Sequence, residues 1–243
     1  MYFLKVLWAY WYFFVFVLIF ILLFPLFYIL LSNKKYYPAA NNLRRVWAWL
    51  LFLFTGIIYS IERKSKLKKS EAYIFCPNHF SYLDIPMFAM CYSGHFRFMA
   101  KLELSNIPLF NIFFRTIDIS VNRGSITESY KALRLAAESI DNGDSLVIFP
   151  EGKIAPHPPK VEKFKNGPFR LAIEKQVAIV PVTFLDNWKM LHVEKKIWGR
   201  PGVARAIVHE PIPTKGLTLD DIDSLQKKVY AIIENDLKEH GSK

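Results

Sequence analysis

Two apolar runs dominate the N-terminal part of the chain. Val6 to Leu31 contains no charged residue, and at ~1.5 Å per residue a helix of that length exceeds the ~30 Å hydrocarbon core of a bilayer. Pro25 lies inside this run and is expected to kink the helix or end it early. Val46 to Tyr59 is too short to cross a bilayer unaided, so it is expected to lie shallow or to re-enter. We therefore expect a membrane-associated two-helix element over residues 1–62.

From residue 63 to residue 243, short apolar segments alternate with amphipathic helices. This alternation predicts an α/β domain with a mostly parallel sheet flanked by helices. In such domains ligands bind at the carboxyl ends of the strands. The segments predicted as strands are Ala72 to Cys76, Phe96 to Ala100, Ile117 to Val121, Ser145 to Phe149, Ile179 to Phe184 and Val203 to Val208.

Capping patterns mark the starts of several predicted helices. Ser125 followed by Glu128 predicts a helix over residues 126–141. Thr218 with Asp221 predicts a C-terminal helix that ends near Lys238. A further helix is expected over residues 169–175, since Gly167-Pro168 precedes it and proline is tolerated in a first helical turn.

The basic charge of the chain is concentrated near the apolar runs. The formal net charge is +11, which would ordinarily suggest a nucleic-acid partner. Before residue 70, however, Glu62 is the only acidic residue, while basic residues flank both runs. This distribution favours membrane lipid over nucleic acid, with the following domain on the cytoplasmic face of the cell membrane. A cleaved signal peptide is the alternative, but the first run is longer than a usual apolar core and no convincing cleavage site precedes Lys34.

Cys76 and Cys91 are the only cysteines. No C-x-x-C pair and no recurring His/Cys spacing occurs, so neither a disulfide framework nor a metal site is expected. Cys76 lies close to His79, which leaves a thiol nucleophile as one interpretation and a buried cysteine at the end of a strand as the commoner one.

The segment Asn78-His79-x4-Asp84 follows the first predicted strand of the α/β domain. On a regular helix, residues at this spacing point about 140° apart, so His79 and Asp84 must straddle a loop and a helix start. Ser81 is a candidate N-cap, with Asp84 at the acidic position of a capping box. A neutral histidine beside a carboxylate can take a proton from an alcohol. The alternative is that Asp84 only caps the helix and His79 is an ordinary loop residue.

Further polar residues follow other predicted strands. Gly152 would let the backbone approach an anion closely, while Lys101, Arg123 and Lys153 offer cations suited to a phosphate. Each signal is weak alone, because an arginine after a strand is usually a solvated surface residue and Pro-Glu-Gly is usually a turn.

Taken together, these motifs resemble the glycerolipid acyltransferase family typified by bacterial 1-acyl-glycerol-3-phosphate acyltransferase. The resemblance runs from about Ala72 to Val182 and includes the N-terminal two-helix membrane element of bacterial members. Its blocks, in order, are Asn78-His79-x4-Asp84, Ala100-Lys101-x-Glu103-Leu104 leading through Pro108 to Arg123, Phe149-Pro150-Glu151-Gly152, and Phe164-Lys165-x-Gly167 followed by Val180-Pro181-Val182.

The resemblance implies a role for each matching residue. His79 would be the catalytic base with Asp84 as its partner, Arg123 with Lys101 would hold the acceptor's phosphate, and Glu151-Gly152 would shape the acceptor site. The implied reaction moves an acyl group to the hydroxyl of lysophosphatidic acid and makes phosphatidic acid for phospholipid synthesis. The thioester donor would be acyl-CoA or acyl-carrier protein, acting as co-substrate with no further cofactor.

Departures from the family pattern keep other acceptors open. The family commonly has glycine where this chain has Thr116, aspartate where it has Asn122, and Thr-Arg where it has Lys153-Ile154. Lys153 could supply the missing cation, or the acceptor could be another lysolipid such as a lyso-aminolipid. A membrane-bound acyl ester or thioester hydrolase and a noncatalytic lipid-binding scaffold are further alternatives. A nucleophilic Ser81 is disfavoured because no Gly-x-Ser-x-Gly elbow occurs.

Overall fold

A long helical hairpin forms the N-terminal part of the molecule. The computed structural model describes residues 2–122, 124–192 and 196–240. Helix α1 (Tyr2–Leu31) continues through Pro25, and α2 (Tyr37–Thr55) follows after a short 3-10 turn. The two helices run antiparallel, because the indole N–H of Trp8 donates to the carbonyl of Thr55 and that of Trp47 donates to the carbonyl of Phe16. The expected two-helix element is therefore present, with an uninterrupted first helix.

The second apolar run does not form a single membrane-associated segment. It is split at Gly56, which ends α2 in a left-handed conformation with φ 69°, a backbone geometry that glycine adopts without steric cost. The following strand β1 (Ile57–Arg63) pairs in parallel with β9 (Gly202–Val208) and forms one edge of the main sheet. The division predicted between residues 62 and 63 falls inside β1, so residues 57–62 belong to the sheet.

The main sheet has seven strands in the order β1-β9-β6-β2-β5-β3-β4. Every neighbouring pair is parallel except β6 and β9. The prediction of a mostly parallel α/β sheet is confirmed. A separate two-stranded hairpin is formed by β7 and β8. The remaining strands are β2 (Ile74–Pro77), β3 (Phe96–Lys101), β4 (Ile119–Val121), β5 (Ser145–Val147), β6 (Ile179–Phe184), β7 (Leu191–His192) and β8 (Trp198–Gly199).

Helices cover both faces of this sheet. One buried core lies between the sheet and a layer that includes α1, α2 and α3, while a second core lies between the sheet and α5, α6 and α8. We call these the hairpin layer and the opposite layer. The remaining helices are α3 (Asp84–Cys91), α4 (Asn111–Thr116), α5 (Ile126–Asp141), α6 (Gly167–Lys175), α7 (Asn187–Met190) and α8 (Ile222–His240).

The outer face of the hairpin layer is apolar and exposed. On α1, Leu22 is 69% exposed and Tyr10 is 60% exposed, and Trp49 of α2 is 47% exposed. Among the described residues, α1 is long and apolar enough to cross a membrane by length and composition. A water-soluble surface rarely carries so many contiguous apolar side chains, so the hairpin layer suggests membrane association.

Candidate active site

Strand register brings the predicted site segments to one edge of the sheet. Phe75 of β2 and Phe98 of β3 both pair with Val147 of β5. The chain segments that leave these three strands at their carboxyl ends therefore start side by side. They carry His79 after β2, Glu151 after β5 and Lys101 at the end of β3. Neighbouring strands lie ~4.8 Å apart, so Lys101 starts about 10 Å across the sheet from the β2 end.

The carboxylate of Asp84 is fully buried and accepts four hydrogen bonds. Its Oδ2 accepts from the ring Nδ1 of His79 at 2.9 Å, from the backbone N–H of Phe80 at 2.7 Å and from that of Ser81 at 2.9 Å. Its Oδ1 accepts from the side-chain amide of Asn187 at 2.7 Å. A buried charge needs such compensation, so this carboxylate is held in one position as well as stabilised.

The ring of His79 is oriented by two contacts. Its Nδ1–H bond to Asp84 leaves Nε2 as the nitrogen that can accept a proton. Its face stacks on Phe149 with ring centroids 4.1 Å apart and an interplanar angle of 26°. The side chain remains 15% exposed, so a substrate can reach the ring. The ring of His79 is therefore held in one orientation, with Nε2 available, which an ordinary loop residue would not need.

The predicted N-cap role of Ser81 is wrong. The N-cap residue of α3 is Leu83, whose side chain makes no capping hydrogen bond. The hydroxyl of Ser81 instead accepts from the Leu83 N–H at 3.1 Å and donates to the carbonyl of Leu191 at 2.7 Å. The backbone N–H of Ser81 still donates to Asp84, as in half of a capping box. The hydroxyl is thus committed to holding the loop against the β7–β8 hairpin.

Glu151 links the histidine loop to a second loop. Its Oε1 accepts from the backbone N–H of His79 at 2.7 Å, and its Oε2 accepts from that of Glu162 at 2.9 Å. The residue is only 3% exposed. Burial raises the pKa of Glu151 to about 8, while the two backbone hydrogen bonds act in the opposite direction. With both oxygens engaged, Glu151 ties the loop that carries His79 to the loop that carries Glu162.

Gly152 permits a close approach of a lysine side chain to the same loop. It has φ 74°, and a Cβ placed there would lie 2.9 Å from the Cε of Lys165. Lys165 belongs to one of the sequence blocks, yet its proximity to Gly152 was not predicted. Lys153 lies 3.5 Å from the Glu162 carboxylate and is 61% exposed. A cation is therefore present beside the glycine turn.

Lys101 and Arg123 were predicted to hold the phosphate together, and of these two the structure describes Lys101. Lys101 is exposed, and its ammonium lies 2.8 Å from the carboxylate of Glu103. Arg123 lies outside the described residues, directly after Asn122, which follows β4. The described part of the site thus contains His79, Asp84, Glu151 and Gly152 together, with Lys101 farther along the same edge.

Both cysteines lie in the interior of the domain. Cys76 and Cys91 are buried and unpaired, and burial raises the pKa of each thiol, that of Cys91 to about 12. A raised pKa disfavours the thiolate that a nucleophile needs. The interpretation of Cys76 as a buried strand-end residue is the one that its surroundings support.

Comparison with known proteins places the chain in a family. The family model described as Acyltransferase matches residues 59–185, which is more than half of the chain. The chain belongs to the acyltransferase family. The fold of this acyltransferase is similar to a crystal structure of a 1-acyl-sn-glycerophosphate acyltransferase from Thermotoga maritima. The two share a TM-score of 0.82 at 24% identity, over 98% of this chain and 97% of the other.

Curated relatives carry related names. An uncharacterized acyltransferase of Schizosaccharomyces pombe is 27% identical over 86% of this acyltransferase and 72% of its own length. The 1-acyl-sn-glycerol-3-phosphate acyltransferase of Saccharomyces cerevisiae is 28% identical over 78% of this chain, and the human alpha enzyme is 27% identical over 72%. This acyltransferase spans only 63% and 62% of those two relatives.

Two asparagines hold parts of the site in ways that the sequence did not predict: Asn78 belongs to the first motif block but was given no role, and Asn187 was not singled out. In this acyltransferase, the Asn78 side chain donates to the carbonyl of Phe184 at 3.0 Å and accepts from its N–H at 2.7 Å, which ties the end of β2 to β6. Asn187 follows the carboxyl end of β6 and donates to Asp84. The available signal was its position after a strand end, since its partner is remote in sequence.

Proposed function

We propose that the chain transfers a fatty acyl group from a thioester donor to the hydroxyl of lysophosphatidic acid, which produces phosphatidic acid for phospholipid synthesis. The observation that supports this most strongly is the buried carboxylate of Asp84, which accepts four hydrogen bonds and holds the partly exposed ring of His79. The names of the curated relatives agree with the acceptor.

His79 and Asp84 are the proposed catalytic residues. Nε2 of His79 removes the proton of the acceptor hydroxyl while the hydroxyl oxygen attacks the thioester carbonyl carbon. Asp84 stabilises the imidazolium that forms. The tetrahedral intermediate then collapses with cleavage of the C–S bond, and the leaving thiolate takes the proton from the imidazolium. An ester replaces a thioester, and no covalent acyl-enzyme is needed.

The acceptor's phosphate is proposed to bind at the carboxyl ends of β5, β3 and β4, where several basic side chains follow the strands. Lys101 and Arg123 retain the roles implied by the family motifs, and Lys153 contributes a further cation. Lys165, whose side chain lies over Gly152, joins them because a lysine beside a glycine turn is suited to an anion. Glu151 and Gly152 shape this side of the site.

Membrane association of the hairpin layer is proposed to deliver the lipid acceptor. The inner face of α1 packs on the sheet domain, with Tyr12 1% exposed and Phe27 0% exposed, so the free apolar face fits insertion into the cytoplasmic leaflet better than a complete crossing. A cavity of about 60 Å³ next to α3 is lined mainly by apolar side chains from the hairpin layer. It adds apolar surface beside α3, the helix that begins at Asp84.

A lysolipid panel tests the proposed function. Purified protein on vesicles should form phosphatidic acid, measured by mass spectrometry, when lysophosphatidic acid and an acyl thioester are both present. His79→Ala should bind the same vesicles and form none. Preference for a lyso-aminolipid would replace the acceptor assignment. Release of free fatty acid without any acceptor would identify a hydrolase instead.

A further inference from the structure

An open cleft lies on the opposite layer, away from the hairpin. It has a volume of about 310 Å³ and is lined by Lys163, Phe164, Gln226, Lys227 and Tyr230. We call it the lysine cleft. Its walls come from the loop before α6 and from α8. The proposed reaction leaves this cleft without a role.

The cleft walls are held together by hydrogen bonds. The side-chain amide of Gln226 donates to the carbonyl of Phe164 at 2.9 Å and to the side-chain oxygen of Asn166 at 2.7 Å. The hydroxyl of Tyr230 donates to the carbonyl of Val161 at 3.4 Å, and its ring meets that of Phe164 edge-on at 5.2 Å. The cleft is therefore preformed, which reduces the entropy cost of binding a ligand.

Two cations that form no salt bridge among the described residues face this cleft. Lys163 and Lys227 are exposed, and neither ammonium lies within salt-bridge distance of an acidic group among the described residues. By contrast, Lys238 of the same helix α8 pairs with Glu234 at 2.8 Å. Two ammonium groups at one concave site, neither of them in an ion pair, favour a ligand with more than one negative charge.

The carboxylate of Glu151 connects the cleft to the loop that carries His79. Glu151 accepts from the N–H of His79 at 2.7 Å and from the N–H of Glu162 at 2.9 Å. Those two backbone nitrogens thus lie within about 8 Å of each other, and Lys163 follows Glu162 by one Cα step of ~3.8 Å. A ligand that binds in the cleft could therefore reach His79, the proposed base, with a short flexible extension.

The position of the cleft also limits the kind of ligand. The exposed apolar face that fits a membrane belongs to α1 and α2, whereas α8 packs on the other face of the sheet. An anion that binds between Lys163 and Lys227 would thus come from water and not from the bilayer. Of the two proposed substrates, the water-soluble one is the thioester donor.

We propose that the lysine cleft binds the phosphorylated nucleotide of an acyl-CoA donor. The inference rests on the proposed acyl transfer. The pantetheine arm of CoA is comparable to about four or five extended residues at ~3.3 Å each, so it spans from the cleft to His79. Lys163 and Lys227 pair with the phosphates, and the Tyr230 ring provides a surface for the adenine. A concave site of this volume suits a nucleotide better than the convex surface of an acidic carrier protein.

Charge reversal with two donors tests the inference. Lys163→Glu with Lys227→Glu should raise the KM for acyl-CoA ~tenfold or more, since charge-assisted hydrogen bonds are lost. The KM for S-acyl pantetheine, which lacks the nucleotide, should not change, nor should that for lysophosphatidic acid. Lys228→Glu is the matched control, because Lys228 is exposed on α8 but does not line the cleft. It should leave all three constants unchanged.

The possible results separate this inference from the proposed function. An unchanged KM for acyl-CoA, or an equal rise for S-acyl pantetheine, would overturn the nucleotide site while acyl transfer stands. So would a wild-type protein that accepts acyl-carrier protein and rejects acyl-CoA. Failure of the wild type to transfer from any thioester would remove both proposals. Retained kcat with S-acyl pantetheine shows that the double variant is folded.

Discussion

The two helical layers differ in their outer faces and not in their inner ones. Both bury apolar side chains against the sheet. The hairpin layer also exposes apolar residues along α1 and α2, whereas the opposite layer carries exposed ion pairs such as Arg170 with Glu174. The difference agrees with the proposal that the sheet lies between lipid and water, with the site at the edge that both layers reach. In the proposed function, a lipid acceptor and a soluble donor then approach from different sides.

The largest effect is expected at the edge between the layers. Asp84→Asn keeps the size of the side chain but cannot stabilise an imidazolium, so kcat should fall by ~10²–10⁴-fold. Vesicle binding should be unchanged, because neither outer face is altered. The measurement is phosphatidic acid formation at saturating substrates, with Asp223→Asn on the surface of α8 as control. If Asp84→Asn lost vesicle binding as strongly as it lost kcat, the site and the hairpin layer would not be separable.

The outer face of α1 provides the direct test of the lipid side. Leu18→Glu with Leu22→Glu places two charges where each costs ~2–3 kcal/mol in a membrane, so vesicle partitioning should fall by at least ~100-fold. The matched change Tyr130→Glu with Leu135→Glu alters exposed apolar residues of α5 in the opposite layer. It should leave co-sedimentation with vesicles unchanged. Similar losses in both variants would refute the assignment of lipid to one layer.

A buried ion pair attaches the hairpin to the sheet. The guanidinium of Arg44 on α2 makes two bonds to Asp118, at 3.1 and 2.6 Å, and the two side chains are 7% and 6% exposed. Asp118→Ala leaves the arginine charge buried and unpaired, so the free energy of unfolding should fall by ~3–5 kcal/mol. Chemical denaturation in detergent measures this. Glu234→Ala, which breaks an exposed pair on α8, should have little effect.

The smallest effect is expected at a positioning residue. Asn187→Ala removes one donor to Asp84, which should lower kcat ~10-fold, in keeping with ~1–3 kcal/mol for a buried hydrogen bond. The KM values for acceptor and donor should not change. Asn187→Asp should lower kcat further than alanine does, since it sets a second carboxylate against Asp84. If the Asn187→Ala and Asn187→Asp variants are equally active, Asn187 only fills space and does not position the Asp84 carboxylate.

Local signals predicted some elements accurately. Helix α5 occupies Ile126–Asp141 as expected, and the Ser125 hydroxyl accepts from the Glu128 N–H at 3.3 Å. Strand β6 also has the predicted bounds. In both cases, residues close in sequence determine the element. The pairing of His79 with Asp84 was predictable for the same reason.

Remote partners account for what was missed. Strand β1 was assigned to a membrane run because its apolar residues continue those of α2, and only its pairing with β9 reveals a strand. The bond from Asn187 to Asp84 joins residues 103 positions apart. Ser81 looked like a cap because its other partner, Leu191, lies 110 positions away along the chain.

The central claim is that His79, oriented by Asp84, deprotonates a lipid hydroxyl. Its most direct test is the single-turnover rate of acyl transfer on vesicles by wild-type protein and by His79→Gln, at equal amounts of bound protein. Glutamine can fill the space but cannot take the proton, so the account predicts transfer at the uncatalysed background rate. A variant that still forms phosphatidic acid at a rate close to that of the wild type would contradict it.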